Sequence, residues 1–134
     1  MNIALIDNHP VFRTGIRIIL KSQFEDVKTL ETGSIQSLGR DIQQDALDII
    51  IIGLSEEQPE IDRSALRKAM KNNPMASFIL YYAHNPGFKF ASSLMRSGVK
   101  GLLIKGGGPD DLTVCVSSVL SGQSYVSQHV RALA

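Results

Sequence analysis

The chain has 134 residues, 43% of them apolar and 20% charged, with a formal net charge of +1. That length suits one domain with one core, and that mixture excludes a disordered chain. A charge so near zero gives no electrostatic case for nucleic-acid binding by this segment, and a lone cysteine, Cys115, excludes an internal disulfide.

The opening MNIALIDNHP lacks a basic start followed by a long apolar run, so no signal peptide is expected. The longest apolar run, residues 49–54, is far too short to span a membrane. A soluble, cytoplasmic protein is the expectation. Along the chain, short apolar runs alternate with helical patterns. The runs cover residues 3–6, 27–30, 49–52, 78–82 and 102–104, each of strand length and rich in β-branched or aromatic residues. Continuous rather than alternating apolar runs indicate strands buried on both faces, as in a parallel sheet covered by helices.

Helices are predicted between them. After Pro10, residues Phe12, Ile16, Ile19 and Leu20 recur at helical spacing, with Arg13, Arg17 and Lys21 on another face. Ser34 can cap a second helix carrying Ile35, Leu38 and Ile42. Leu66, Ala69 and Met70 mark a third, which ends at Asn73-Pro74. Ala91, Leu94, Met95 and Gly98 mark a fourth. The fifth opens at Pro109, with Gly108 as its cap and Asp110 and Asp111 favouring the helix dipole. It carries Leu112, Cys115, Val116, Val119 and Leu120 and ends near Gly122.

Five such units in a row predict an α/β, flavodoxin-like, doubly wound five-stranded parallel sheet of order 2-1-3-4-5. Its crevice lies beyond the carboxyl ends of strands 1 and 3. Function is therefore sought at Asp7-Asn8, Gly53-Leu54-Ser55, Tyr82-Ala83-His84 and Lys105-Gly106.

Those loops carry a resemblance. Ile6-Asp7-Asn8-His9-Pro10, followed by Arg13 and Gly15, resembles the opening of response-regulator receivers, especially the nitrate-regulator type with a C-terminal helix-turn-helix. Residues 48–55, 82–85 and 98–105 with Pro109 resemble that family's third, fourth and fifth strands. Residues 122–127 resemble its exit segment. The resemblance covers residues 2–130, and it implies a flavodoxin-like receiver over 1–124 with the start of a linker at 125–134. It further implies a DNA-binding segment absent from this chain.

The same resemblance locates a phosphorylation pocket that is degenerate. Gly53 stands where the family has a nucleophilic aspartate. Asn8 replaces one of two acids that help hold Mg²⁺, leaving Asp7 alone. Tyr82 stands where a Ser or Thr meets the phosphoryl oxygen, and it is expected to fill space beside the missing phosphate. Leu102 replaces the aromatic switch residue, while Lys105 matches the phosphate-contacting lysine. The family-bearing fold positions are intact.

Single features read more plainly. Asp7 is expected to pair with Lys105 across the crevice. Ser55 reads as a turn residue rather than a substitute acceptor, and His9 as structural. His84 has no second ligand at metal spacing, so no metal is expected. Glycines 106–108 lack the GxxxxGK[ST] pattern and form no P-loop. The Arg13, Arg17 and Lys21 row is either a solvated face or a partner contact. Between Asp111 and Ala134 the only ionised side chain is Arg131. With Val114 and Ser118 outside the core stripe, helix 5 suits an interface. The resemblance implies dimers through helices 1 and 5 or 4 and 5.

The expected function is a phosphorylation-independent receiver that controls transcription through homodimerisation, a protein partner or a small-molecule ligand. DNA contact would belong to the absent segment, and no membrane contact is expected. The alternative is a stand-alone pseudo-receiver that serves as a protein-interaction module. No catalytic residue, cofactor or metal is expected, because no nucleophile–base pair, dinucleotide fingerprint or metal cluster stands out.

Overall fold

In the computed structural model, residues 1–42 and 46–131 are described. The elements run β1 (Asn2–Ile6), α1 (Pro10–Gln23), β2 (Lys28–Thr32), a 3-10 turn (Ile35–Ser37), α2 (Leu38–Asp41), β3 (Ile49–Gly53) and α3 (Arg63–Asn72). They continue with β4 (Ser77–Tyr82), α4 (Phe88–Arg96), β5 (Gly101–Ile104), α5 (Pro109–Leu120), β6 (Tyr125–Val126) and α6 (Gln128–Arg131). All strands pair in parallel, in the order β2-β1-β3-β4-β5-β6. The expected flavodoxin-like order is present, with one correction. Among the described residues the sheet has six strands, because the chain turns after α5, with Gly122 at φ +85°, and lays Tyr125–Val126 along β5. Tyr125 N–H donates to Lys100 O, and Ser127 N–H to Leu102 O, both at 2.8 Å. Residues 132–134 of the expected linker lie outside the described residues.

The β1, β3 and β4 runs are continuous because both sheet faces are covered. One face packs Ala4, Ile6, Ile50, Ile52, Leu80, Tyr82 and Leu102 against Leu66, Ala69, Ala91 and Leu94 of α3 and α4. The other packs Ile3, Leu5, Ile51, Ile79, Tyr81 and Leu103 against Ile16 and Leu20 of α1 and Leu112, Cys115 and Val116 of α5. Among the described residues β2 is an edge strand paired only to β1, so polar Lys28 and Glu31 sit within it. It starts one residue after the buried Val27.

The second helix also departs from expectation. Ser34 does cap, accepting from Ser37 N–H at 3.2 Å, but it caps a 3-10 turn followed by a single helical turn. Gly39, a poor helix former, falls inside that turn.

α5 approaches β5 closely at Gly101, where a Cβ would lie 2.7 Å from Cys115 Sγ. Cys115 is fully buried, and burial pushes its thiol up to about 12. A thiol reagent at neutral pH is therefore expected to leave the native chain unlabelled, with labelling tracking denaturant unfolding. Rapid labelling without denaturant would contradict this packing.

Candidate functional site: the β1, β3 and β5 strand ends

The carboxyl ends of β1, β3 and β5 converge on Asp7. β1 delivers Asp7 one residue past its end, and the carboxylate is almost completely buried. Lys105, one residue past β5, donates from Nζ to Asp7 Oδ2 at 2.8 Å. His9 N–H donates to Asp7 Oδ1 at 2.7 Å, and the His9 ring Nδ1 lies 3.3 Å from the same oxygen. Both carboxylate oxygens thus have donors, which is what a buried charge requires. The expected pairing of Asp7 with Lys105 is present, across 98 residues of sequence.

Gly53 closes the third side. A Cβ built there would lie 1.9 Å from Asp7 Oδ2 and 2.9 Å from Asp7 Cγ. The Asp7 carboxylate therefore stands in the space that any side chain at position 53 would need. Tyr82 is not what stands there, contrary to the expectation from its size. Strand parity turns it to the α3–α4 face, where it lines a cavity with Pro59, Glu60, His84, Pro86 and Phe90. Its hydroxyl is buried with no hydrogen-bond partner among the described residues, and burial pushes it up to about 12. Leu102 is fully buried on the same face, so it is fixed core. Asn8 is exposed, on a small crevice lined also by Gly53, Leu54 and Ser55.

Sequence reading missed Phe12 as part of this site. Its ring lies 4.2 Å beneath Lys105 Nζ and meets Tyr81 edge-on at 5.2 Å. The cation over the ring and the carboxylate beside it hold Lys105 from two directions. Phe12 shows in the sequence only as one more apolar residue of α1.

A magnesium ion does not fit this donor set. Mg²⁺ takes near-octahedral oxygen ligands, commonly from one or two carboxylates and waters. Here Asp7 already accepts from Lys105 and His9, and position 53 offers no side-chain oxygen.

The remaining candidates have local roles. Ser55 is buried and makes a turn, with Gln58 N–H donating to its Oγ at 3.2 Å. His84 pairs with Glu56 at 3.0 Å on the surface. Arg13 and Arg17 both turn to Glu31 of β2, Arg13 Nε at 3.0 Å, and Arg13 also donates to the Asp7 carbonyl. Val114 is half-exposed on α5, and Ser118 is partly buried. On α1, which packs beside α5, Val11 and Ile18 are exposed. Sequence reading did not single out those two. A further contact ties the β4–α4 loop to α6, with Asn85 Nδ2 donating to His129 O at 2.8 Å.

No family model matches the chain. It is 30% identical over 137 aligned positions to the response regulator UvrY of Escherichia coli (strain K12), covering 97% of this chain and 59% of that protein. It is 28% identical over 130 positions to the oxygen regulatory protein NreC of Staphylococcus epidermidis, covering 94% of this chain and 57% of that protein. Among solved structures, the isolated receiver domain of RcsB from Salmonella enterica serovar Typhimurium superimposes with a TM-score of 0.84 at 23% identity, covering 99% of this chain and 97% of that one. The chain carries the receiver fold of response regulators. The chain spans less than two thirds of the length of the curated relatives it matches. RcsB has also been solved as two dimers bound to two parallel DNAs, with a TM-score of 0.81 at 22% identity over 98% of this chain and 66% of that one. Among the described residues, no helix is long and apolar enough to cross a membrane.

Proposed function

We propose that this is a cytoplasmic receiver of a transcription regulator that is not switched by aspartyl phosphorylation. It is not an enzyme in this reading. One observation carries it. The Asp7 carboxylate, held by Lys105, occupies the space where a phosphate-accepting side chain at position 53 would stand. The pocket has lost more than an acceptor. Its lysine and its remaining acid satisfy each other, so neither is free for a phosphoryl group or a cation. The test is incubation with acetyl phosphate and Mg²⁺ followed by intact-mass measurement. The mass is expected to stay unchanged. A phospho-adduct on Asp7, Ser55 or any neighbouring residue would overturn this reading.

The output in this reading is a homodimer through α1 and α5. Exposed Val11 and Ile18 on α1 and Val114 on α5 support that face, together with the scarcity of charge along α5. Arg13 and Arg17 stand on the flank of α1 towards Glu31 and are engaged there. DNA contact is assigned to a segment outside this chain, by analogy with RcsB, which binds DNA. The double substitution Ile18→Glu with Val114→Glu is expected to weaken the dimer at least about tenfold, because each buries an unpaired charge. Sedimentation equilibrium measures this, and a wild-type chain that is monomeric at high concentration would contradict it.

A further inference from the structure

After α5 the chain folds back on the domain. Residues 121–124 are exposed, Gly122 takes φ +85°, and the chain then lays β6 along β5 and forms α6. This exit segment is small, with two residues of strand and four of helix. Elements so short have no stability of their own and persist only through contacts with the rest of the fold. Two backbone bonds join it to β5, from Tyr125 N–H to Lys100 O and from Ser127 N–H to Leu102 O. Ser127 and Val130 are buried, Val130 beside Ala91 and Met95 of α4.

Two side-chain contacts clasp the segment from different elements. Asn85, in the β4–α4 loop, donates from Nδ2 to His129 O at 2.8 Å, while its Oδ1 accepts from Gly87 N–H at 2.8 Å. The Tyr125 hydroxyl donates to Asp111 Oδ1 on α5. That contact leaves Asp111 half satisfied. Its Oδ2 is buried and has no hydrogen-bond partner among the described residues. A Cβ built at Gly107 would lie 3.2 Å from that oxygen and 3.7 Å from His129 Cδ2, so α6 stands beside the covered oxygen. A buried carboxylate oxygen without a donor favours any rearrangement that returns it to water. Lifting α6 away is such a rearrangement.

We propose that residues 125–131 form a strap that undocks as one unit about the 121–124 hinge, with Asn85 and Asp111 as its two clasps. The Asn85 clasp makes docking depend on the β4–α4 loop. Release uncovers the Lys100 and Leu102 carbonyls of β5 and the apolar seat of Val130 against α4. The strap goes beyond the proposed function and does not rest on it. An acetyl-phosphate adduct would overturn that reading and leave the strap untouched.

Native-state hydrogen exchange of the ¹⁵N-labelled chain is the test. The amides of Tyr125, Ser127 and Val130, the last bonded to Ser127 O, are expected to share one protection factor. It is expected to be at least about a hundredfold lower than that of Ile50 and Leu80, which lie fully buried in the sheet. Asn85→Ala is expected to speed all three strap amides about fivefold, although Asn85 bonds only His129 O within the strap. Tyr125→Phe is expected to speed them at least about tenfold, because the lost acceptor is a carboxylate. The proposal is overturned if the three amides exchange as slowly as Ile50 and Leu80, or if their rates are unrelated to one another. It is equally overturned if Asn85→Ala leaves Tyr125 and Ser127 unchanged.

Discussion

Gly53→Asp is expected to destabilise the fold by roughly 2–4 kcal/mol and to leave the chain unlabelled by acetyl phosphate. The Cβ alone would sit 1.9 Å from Asp7 Oδ2, well inside any allowed contact. Asp7 is an ordered, buried group and not the loose end of a flexible chain. It is held by His9 N–H on one oxygen and by Lys105 on the other. To admit the new side chain, Asp7 must leave those donors, and two carboxylates must then share one lysine. Like charges so close repel, and with Asn8 in place of the second acid the pocket is still short of a ligand for Mg²⁺. Gly53→Ala separates the two causes. It keeps the clash and adds no charge, so it is expected to cost about 1–3 kcal/mol. Chemical denaturation measures both. Rapid labelling of Gly53→Asp would show a pocket that opens on demand.

Lys105→Met is expected to cost about 2–4 kcal/mol, because it strands the Asp7 carboxylate in the interior. The Asp7 side chain is 1% exposed and that of Lys105 is 19% exposed, so the pair is screened far less than a surface bridge. In a domain of this size each kcal/mol moves the melting temperature by about 3–4 °C, so the loss reads as roughly 7–15 °C. Adding Asp7→Asn removes the stranded charge. The double variant is expected to be more stable than the sum of the single losses, with a coupling of at least about 1 kcal/mol. Strict additivity would mean that the pair does not act as a unit. Methionine still covers the Phe12 ring, so the cycle isolates the charge from the packing.

Much of the frame was legible in the sequence. The continuous apolar runs at 49–52 and 78–82 sit in the buried centre of the sheet, where both faces demand apolar side chains. Pro109, with Asp110 and Asp111, marked the start of α5 correctly. Tyr125–Val126 escaped notice because two residues carry no periodicity, and only the edge of β5 makes them a strand. The second helix was overdrawn because the apolar spacing of Ile35, Leu38 and Ile42 outweighed Gly39 in the reading.

The site was legible in part. Motif position alone placed Asp7, Gly53 and Lys105 at the strand ends. That Asp7 takes the space of the missing side chain was not legible, because it depends on the register Ile6 to Ile52 between β1 and β3 and on the reach of a lysine 98 residues away. Tyr82 shows the same limit. Its size was plain, but its direction follows from strand parity, which puts it with Leu80 and Leu102 on the α3–α4 face. Asn85 showed only as the end of a family segment, and its contact with α6 was not legible, since its partner there is a backbone carbonyl.

The central proposal is that the Asp7–Lys105 pair closes this domain to phosphoryl chemistry. The most direct measurement is the amide NMR spectrum of the ¹⁵N-labelled chain with and without beryllofluoride and Mg²⁺. The account predicts superimposable spectra. Shifts clustered at Asp7, Gly53, Tyr82 and Lys105 would contradict it.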